Sequence, residues 1–491
     1  MPDKLKTLDN LNFDNTYTRL PEHFYHRVNP TPLKGAHLIS FNPAVAQLLD
    51  LDACSVKPAQ LAAYFGGQAA LPGAEPLAMK YTGHQFGYYN PDLGDGRGLL
   101  LGEVLNQKGE RWDLHLKGAG KTRYSRFGDG RAVLRSSIRE YLVSEAMQGL
   151  NIPTTRALCL VGSEQQVMRE GMEPCATVLR VSACHIRFGH FEYLYYSKRH
   201  DDLKELADYC IKRYYPEVAG AENPYLAMFD QVLERSAEMV AAWQAYGFVH
   251  GVLNTDNMSL LGETFDYGPY TFMDNYNPDF ISNHTDESGR YAFKKQPDIV
   301  HWNLAALAQS LLPLVASDAL KDSLGRFYER YLVYRNLRLR ARLGLHQTQE
   351  GDVELIESLL QLFADQHVDF TRFFSHLCEF DGSESSKKAL YLLVKQQGPL
   401  DVWLDTYQVR LGLEAVSQSI RHQKMRSVNP RYILRNYMAE EVIREASVGN
   451  YEPVNQLLAV LRHPGEQYPK MQHYASEPPS WAGAINLTCS S

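Results

Sequence analysis

The pattern of apolar and polar residues changes character along the chain, with short alternating segments first and longer helical periodicity later. Residues 111–117 alternate apolar and polar side chains, which predicts a strand that ends at Lys117. Residues 131–149 carry apolar side chains at helical spacing, and Gly149 closes the predicted helix. Three further short strands are predicted at 158–161, 166–168 and 177–181.

The later part of the chain is mainly helical in its periodicity. Helices are predicted at 201–215, 226–246, 299–312, 319–343, 353–364, 402–413, 430–446 and 453–462. Glycine-rich residues 76–130 favour short strands broken by turns, whereas residues 1–75 are expected to wrap around the rest with little regular structure. A strand-rich part with one helix, followed by a helical part, is the order of a protein-kinase-like fold.

We therefore expect an α+β, protein-kinase-like, two-lobed fold with an N-terminal extension and a helical C-terminal extension. The expected parts are the N-terminal extension (1–75), a kinase-like N-lobe with nucleotide-binding elements (76–185), a C-lobe with catalytic and metal loops (186–330), and a helical C-terminal region ending in a Cys-containing tail (331–491).

Composition and charge argue against several classes of binding partner. The chain has 491 residues and a formal net charge of -7, and an acidic total argues against a dedicated nucleic-acid binder. No apolar stretch is long enough to span a bilayer, and the N-terminus lacks a secretory signal. The seven cysteines include no CxxC pair and fit reduced thiols. We expect a soluble, cytoplasmic protein that binds neither nucleic acid nor membrane.

The clearest chemical motif spans residues 250–257 and reads His-Gly-Val-Leu-Asn-Thr-Asp-Asn. It matches a kinase catalytic loop, including the metal-binding Asn257, but the position of the catalytic Asp holds Val252. Nine residues after Asn257, Asp266 begins Asp-Tyr-Gly, which resembles the D-F-G metal motif. Asn257 and Asp266 would supply oxygen ligands for Mg²⁺, and the same ligands suit Mn²⁺, so the choice between the two metals is open.

Basic residues upstream of this motif indicate a site for a polyanion. Lys117 ends a predicted strand and Glu140 lies in the next helix, as in the lysine–glutamate pair of kinases. The forked side chains of Arg180 and Arg187 suit bidentate phosphate binding. The local excess of positive charge that fits a triphosphate comes from Lys117, Lys121, Arg123, Arg126, Arg131, Arg135 and Arg139.

Two glycine-containing turns could supply backbone N–H groups to the same anion-binding site. The sequence Gly-Asp-Gly-Arg occurs at residues 94–97 and again at 128–131. Glycines let the backbone approach phosphate groups closely, although either sequence taken singly is more often an ordinary turn.

Taken together, long stretches of the chain resemble the selenoprotein O family. They are YTGHQFG at 81–87, GDGR at 94–97, KGAGKTRYSRFGDGRAVLRSSIREYL at 117–142, HGVLNTDNM at 250–258, FDYGPYTFMD at 265–274, QPDIVHWNL at 296–304 and a near-terminal Cys. The resemblance covers the chain from about residue 20 to the C-terminus. It implies a pseudokinase that binds ATP in a flipped orientation and transfers AMP to Ser, Thr or Tyr hydroxyls of proteins, with the enzyme itself as one candidate acceptor.

The resemblance also assigns expected roles to individual residues. Phosphate binding falls to Lys117, Arg180 and Arg187, and the nucleotide pocket is completed by Gly94, Gly96, Arg97, Asp129, Gly130 and Asp266. Asn257 and Asp266 are the expected metal ligands, and Asp256 is the expected proton acceptor. Asp256 would act either as the base itself or through a contact with a metal ligand.

Several alternatives stay open at this point. The first is transfer of UMP with Mn²⁺, and the second is a conventional phosphotransferase, against which Val252 counts. The third is a non-catalytic scaffold, which has no need of an intact metal pair. The fourth is a redox protein that acts through Cys489. Some relatives pair this Cys with one in the activation segment, but residues 266–297 contain no Cys, so that disulfide is not expected here.

Overall fold

The computed structural model describes residues 5–488, and their mixture of strands and helices confirms the α+β class. The strands are β1 (Tyr25–Arg27), β2 (His37–Phe41), β3 (Leu77–Gln85), β4 (Tyr88–Gly94), β5 (Gly98–Leu105), β6 (Arg111–Lys117), β7 (Ala132–Val133), β8 (Arg156–Met168), β9 (Met172–Ser182), β10 (Phe248–Val249) and β11 (Thr271–Phe272). Within the described residues, β1 to β9 form one antiparallel sheet in the order β1-β3-β5-β6-β9-β8-β2, with β4 beside β3 and β7 beside β9.

Helices surround this sheet and make up most of the chain after it. They are α1 (Pro43–Ala46), α2 (Pro58–Phe65), α3 (Leu134–Gly149), α4 (Phe188–Tyr196), α5 (His200–Tyr214), α6 (Pro224–Tyr246), α7 (Gln296–Ser310), α8 (Ser317–Gly325), α9 (Phe327–Arg342), α10 (Asp352–Gln366), α11 (Phe370–Leu377), α12 (Glu384–Tyr391), α13 (Gln397–Leu411), α14 (Gln418–Val428), α15 (Asn436–Ser447) and α16 (Glu452–Arg462). Helix α3 covers one face of the sheet, and α1 and α2 cover the other.

The N-terminal segment has more regular structure than expected. β1 pairs with β3 and β2 pairs with β8, so residues before 76 supply the strands at both ends of the sheet order. Leu61 and Phe65 of α2 are fully buried against the same sheet. β1 and β2 have only three and five residues, which is too short for an alternating pattern to be recognised in the sequence. Such short strands are stable because they pair with the rest of the sheet.

Other predicted elements are confirmed or corrected in detail. The strand at 111–117 is confirmed, and the strands predicted at 158–161 and 166–168 are one strand, β8, whose pairing with β9 shifts register between Gly162 and Gln166. The predicted helix 319–343 is two helices, because α8 ends at Gly325, a poor helix former. The helix predicted at 430–446 begins only at Asn436. The sequence pattern does not predict α4, α11, α12 or α14.

Alternation along the central strands decides which side chains reach the functional site. In β6, Leu114 and Leu116 are buried in the apolar layer with α1 and α2, and Lys117 points to the opposite face, toward α3. Leu179 of β9 lies opposite Leu116, so Arg180 is presented on the same face as Lys117. The spacing of apolar residues in two neighbouring strands therefore brings two cations together.

Candidate active site

A cavity of about 520 Å³ lies between the sheet and the segment that follows β10. Its lining brings together Gly94, Gly96, Arg97, Lys117, Asp129, Gly130, Arg180, Arg187, Asp256, Asn257 and Asp266, all of them predicted site residues. Glu140 lies behind this lining in contact with Lys117, and Cys489 lies outside the described residues. The lining includes seven Lys or Arg side chains and four Asp side chains, and this excess of positive charge favours an anionic ligand.

Glu140 of α3 holds two of these cations in place. One carboxylate oxygen accepts a hydrogen bond from Lys117 Nζ and the other accepts one from Arg180 Nε, and all three side chains are buried. Burial would raise the pKa of Glu140, but Arg180 and Lys117 lower it to about 2. Burial lowers the pKa of Lys117 to about 8, although Glu140 opposes this change. Glu140 is therefore ionised at neutral pH, and its charge helps Lys117 to stay protonated.

Asp266 lies between two arginines at the base of the cavity. Its Oδ1 is 2.8 Å from Arg180 Nη2, and its Oδ2 accepts a hydrogen bond from Arg187 Nη1. Burial would raise the pKa of Asp266, but Arg187 and Arg180 hold it well below its ordinary value. The backbone of Asp266 has a φ of 57°, in the left-handed region that few non-glycine residues adopt. Strain of this kind is typical of functional sites.

Arg187 is itself held from several sides. Its Cζ lies 4.6 Å from the ring centroid of Tyr81 and 4.7 Å from that of Phe265, which places the guanidinium over two aromatic rings. Its Nη1 also donates a 2.8 Å hydrogen bond to the backbone carbonyl of Asp256. The arginine thus connects the loop that carries Asp256 to Asp266 and fixes their relative position.

Asp256 lies beneath the hairpin formed by β3 and β4. Its Oδ2 accepts a hydrogen bond from Gln85 Nε2 at 3.3 Å, and the whole residue is 8% exposed. Burial raises the pKa of Asp256 to about 7, although Arg187 opposes this change. A carboxyl group whose pKa is close to neutral is suited to accept a proton and release it again.

Asn257 and Asp266 have the chemistry expected of ligands for a hard cation. Asn257 Nδ2 donates a 3.0 Å hydrogen bond to the carbonyl of Val252, which leaves the Oδ1 end of the amide available for a cation. Together with the Asp266 carboxylate, this is an oxygen donor set that fits Mg²⁺ or Mn²⁺. Within residues 5–488, at this site or elsewhere, no cluster of three or more His, Cys, Asp or Glu side chains is arranged to hold a metal.

The first Gly-Asp-Gly-Arg turn is shaped by a buried carboxylate. Asp95 accepts a 3.1 Å hydrogen bond from the backbone N–H of Met79, and its Oδ2 lies 3.3 Å from His115 Nε2. A Cβ at Gly96 would come within 2.9 Å of the carbonyl oxygen of Tyr124. Glycine is needed there because the two backbone segments approach so closely.

The second Gly-Asp-Gly-Arg turn is held by an arginine from elsewhere in the chain. Both terminal nitrogens of Arg169, in the turn between β8 and β9, donate 2.8 Å hydrogen bonds to the carboxylate of Asp129. Gly130 has a φ of 72°, and a Cβ there would come within 2.1 Å of the carbonyl oxygen of Gly120. The turn therefore requires glycine and keeps Asp129 at the cavity wall.

The structure also separates the predicted basic cluster into two groups. Arg126 and Arg131 line the cavity, but Arg139 donates to the carbonyl of Tyr270 at 2.8 Å and Arg135 pairs with Glu173. Arg135 and Arg139 lie outside the cavity lining, so their positive charge serves contacts within the protein.

Some lining residues were not predicted as site residues. Asp95, Arg169 and Gln85 all line the cavity. The repeated Gly-Asp-Gly-Arg sequence was a signal for Asp95, and the YTGHQFG motif was a signal for Gln85. Arg169 lies in an ordinary hairpin turn, and no local pattern marks it.

The chain belongs to the SelO family of protein adenylyltransferases, because a sequence model with the description "Protein adenylyltransferase SelO" matches residues 7–462. It is thus an enzyme of the nucleotidyltransferase class. Among its relatives, "Protein nucleotidyltransferase YdiU" of Hahella chejuensis is 57% identical over 493 residues, covering 100% of both chains. The proteins of the same name from Azotobacter vinelandii and Pseudomonas aeruginosa (strain LESB58) are 49% and 50% identical over 99% of this chain and 100% of their own.

In the part of the chain from residue 5 to residue 488, no helix has the length and apolar character needed to cross a bilayer.

Proposed function

We propose that this enzyme transfers AMP from ATP to hydroxyl side chains of proteins. The observation that carries the proposal is the continuous ion network of Glu140, Lys117, Arg180, Asp266 and Arg187 at the base of a cation-rich cavity. Transfer of a phosphorus-centred group depends mainly on positioning and charge neutralisation, which such a network provides. The cavity volume of about 520 Å³ is also in the range of small-molecule sites.

The same residues support a kinase-like organisation. A strand lysine pairs with a glutamate of the next helix, and an Asn and an Asp from later loops meet them at the cavity. We assign residues 76–185 to an N-lobe and 186–330 to a C-lobe, with extensions at 1–75 and 331–491. The position of the kinase base holds Val252, whose side chain cannot accept a proton.

In the proposed reaction, the acceptor hydroxyl oxygen forms a bond to the α-phosphorus of ATP. The bond between that phosphorus and the oxygen bridging to the β-phosphate breaks, and pyrophosphate leaves with this electron pair. The hydroxyl proton passes to Asp256, whose carboxyl has a raised pKa. Arg180 and Arg187 exchange contacts with Asp266 for contacts with phosphate oxygens, where their forked geometry suits bidentate binding.

Asn257 and Asp266 are the residues that we assign to a bound Mg²⁺ or Mn²⁺. Such an ion, when bound, neutralises charge on the triphosphate. Asp266 is ionised over the whole physiological range because its pKa is held low by Arg187 and Arg180 against the effect of burial. Its carboxylate is therefore ready to accept a cation when the arginines move to phosphate.

Labelled ATP distinguishes AMP transfer from phosphate transfer. The enzyme is incubated with a protein acceptor, divalent metal and ATP labelled at the α- or the γ-phosphate, alongside Asp256→Asn and Asp266→Asn. Asp279→Asn is the matched control, because the Asp279 side chain is 68% exposed and pairs with Lys294. We expect protein-bound label from α-labelled ATP only, unchanged in the control and lost in the two site variants. Label from γ-labelled ATP alone would identify a conventional kinase and refute the proposal.

Transfer of UMP instead of AMP is an alternative that the labelled-nucleotide assay can also test. The relatives' name, protein nucleotidyltransferase, does not specify the nucleotide. α-Labelled UTP with Mn²⁺ is therefore compared with α-labelled ATP at equal concentration. We expect greater transfer from ATP, and greater transfer from UTP would reassign the nucleotide without changing the roles of the site residues. Mapping the modified hydroxyls by mass spectrometry would identify acceptors, including any on the enzyme itself.

A further inference from the structure

The hairpin of β3 and β4 lies directly on the loop that carries Asp256. The backbone N–H of His84 donates a 2.7 Å hydrogen bond to Thr255 Oγ1, a contact between residues 171 positions apart in the chain. Gly83 lies so close to the loop that a Cβ there would come within 3.0 Å of Asp256 Oδ1. Any side chain at position 83 would therefore disturb the carboxylate.

The two oxygens of the Asp256 carboxylate have different surroundings. Within residues 5–488, Oδ1 is buried without a hydrogen-bond partner, beside Gly83. Oδ2 accepts the 3.3 Å hydrogen bond from Gln85 Nε2, and both residues line the cavity. Because Oδ1 is buried, we expect an acceptor hydroxyl in the cavity to approach Oδ2. The hydrogen bond from Gln85 restrains rotation of the carboxylate, and the second lone pair of Oδ2 stays available to another donor.

A second side chain decides which end of the Gln85 amide faces Asp256. Asn90 Nδ2 donates a 3.1 Å hydrogen bond to Gln85 Oε1, so the N–H end of the amide points to the carboxylate. Asn90 is held in turn, because its Oδ1 accepts a 3.0 Å hydrogen bond from the backbone N–H of Asp92. In the series of hydrogen bonds from the Asp92 N–H to Asp256 Oδ2, the donor and the acceptor of each bond are therefore fixed.

We propose that Gln85 is a positioning residue for the transfer reaction, which orients Asp256 Oδ2 toward the acceptor hydroxyl, and that Asn90 sets the orientation of the Gln85 amide. The inference rests on the proposed function, because it gives Asp256 the role of proton acceptor. Gln85 acts through Asp256 and not on the nucleotide. Its loss should therefore slow turnover and leave nucleotide binding intact.

Two substitutions test this arrangement. Gln85→Leu removes the amide and keeps a side chain of similar size. Asn90→Asp keeps Gln85 but replaces the donor with an acceptor, so the Gln85 amide must turn and present its oxygen to Asp256. We expect kcat to fall about tenfold in each, the factor that corresponds to one hydrogen bond. The KM for ATP and the Kd of a non-hydrolysable ATP analogue should stay within about twofold of the wild type, because the hydrogen bonds of the Gln85 side chain go to Asp256 and Asn90.

Tyr88→Ala is the matched control, because Tyr88 belongs to the same hairpin and is 82% exposed. It should keep the wild-type kcat and analogue affinity. Analogue binding also confirms that each variant is folded. Asp256→Asn is measured in parallel, and it must abolish turnover.

The outcomes distinguish the role of Gln85 from the role of Asp256. Wild-type kcat in both Gln85→Leu and Asn90→Asp, with Asp256→Asn inactive, would refute the positioning role alone. Full activity of Asp256→Asn would refute both the role of Asp256 and the inference built on it. A parallel loss of kcat and analogue affinity would overturn the inference as well, since it would show that Gln85 only holds the hairpin in place.

Discussion

Replacing Glu140 by Gln keeps the shape of the side chain but removes the negative charge that Lys117 and Arg180 share. Lys117, Arg180 and Glu140 are all buried, with at most 4% of each residue exposed. Water therefore cannot solvate the two cations once the negative charge is removed. Removing one partner of a buried ion pair costs about 3–5 kcal/mol, because the remaining charge stays unpaired. Arg180 keeps Asp266 at 2.8 Å, and Lys117 can lose its proton, so we expect a loss of about 3 kcal/mol in the free energy of unfolding.

The same substitution should weaken ATP binding through Lys117. The pKa of Lys117 is already lowered to about 8 by burial, and Glu140 is the largest contribution that opposes this shift. Without Glu140, the pKa falls further and Lys117 is mostly neutral at physiological pH. A hydrogen bond to a charged group is worth about 1.5–3 kcal/mol, so ATP affinity should fall about tenfold or more. The loss should be smaller in acid, where Lys117 regains its proton.

Urea unfolding and calorimetric ATP titration measure the two effects. Glu75→Gln is the matched control, because Glu75 pairs with Arg27 at 2.8 Å while their side chains are 45% and 52% exposed. An exposed pair contributes at most about 1 kcal/mol, so this variant should be close to the wild type in stability and in ATP affinity. If Glu140→Gln also stayed within about 1 kcal/mol of the wild type and bound ATP normally, the argument that this buried carboxylate holds both cations would be refuted.

Two further predictions follow from the same network. The pKa of Glu140 is about 2 in the folded protein and about 4.5 ordinarily, so its stabilisation is present above pH 4.5 and is lost as the pH falls toward 2. The difference in unfolding free energy between wild type and Glu140→Gln should therefore shrink by about 2 kcal/mol between about pH 5 and pH 3, and a constant difference would contradict this. Metal and nucleotide should also bind cooperatively, since Arg180 and Arg187 pair with Asp266 until phosphate draws them away. Mn²⁺, followed by its paramagnetic signal, should bind at least about fivefold more tightly with an ATP analogue present, and equal affinities would argue against the exchange of partners.

Much of the fold and the main chemistry could be predicted from local pattern. The strand predicted from the alternation at 111–117 is confirmed, and the helix predicted at 131–149 contains the whole of α3 and three residues before it. The motifs at 250–257 and 266–268 identified residues that the structure brings to one cavity. Short elements such as β1 and β2 could not be predicted, because their stability comes from the sheet that they join and not from their own sequence.

The sequence by itself determined the residue types of the site and the face on which several of them lie. Because successive side chains of a strand point to opposite faces, Lys117 lies on the face of β6 opposite to the buried Leu114 and Leu116. Only the tertiary structure decided which of these residues meet. Gln85 reaches Asp256 across 171 positions, and Arg187 reaches Asp266 across 79. Burial, which raises the pKa of Asp256 and lowers that of Lys117, arises from distant segments packing together, so no local pattern records it.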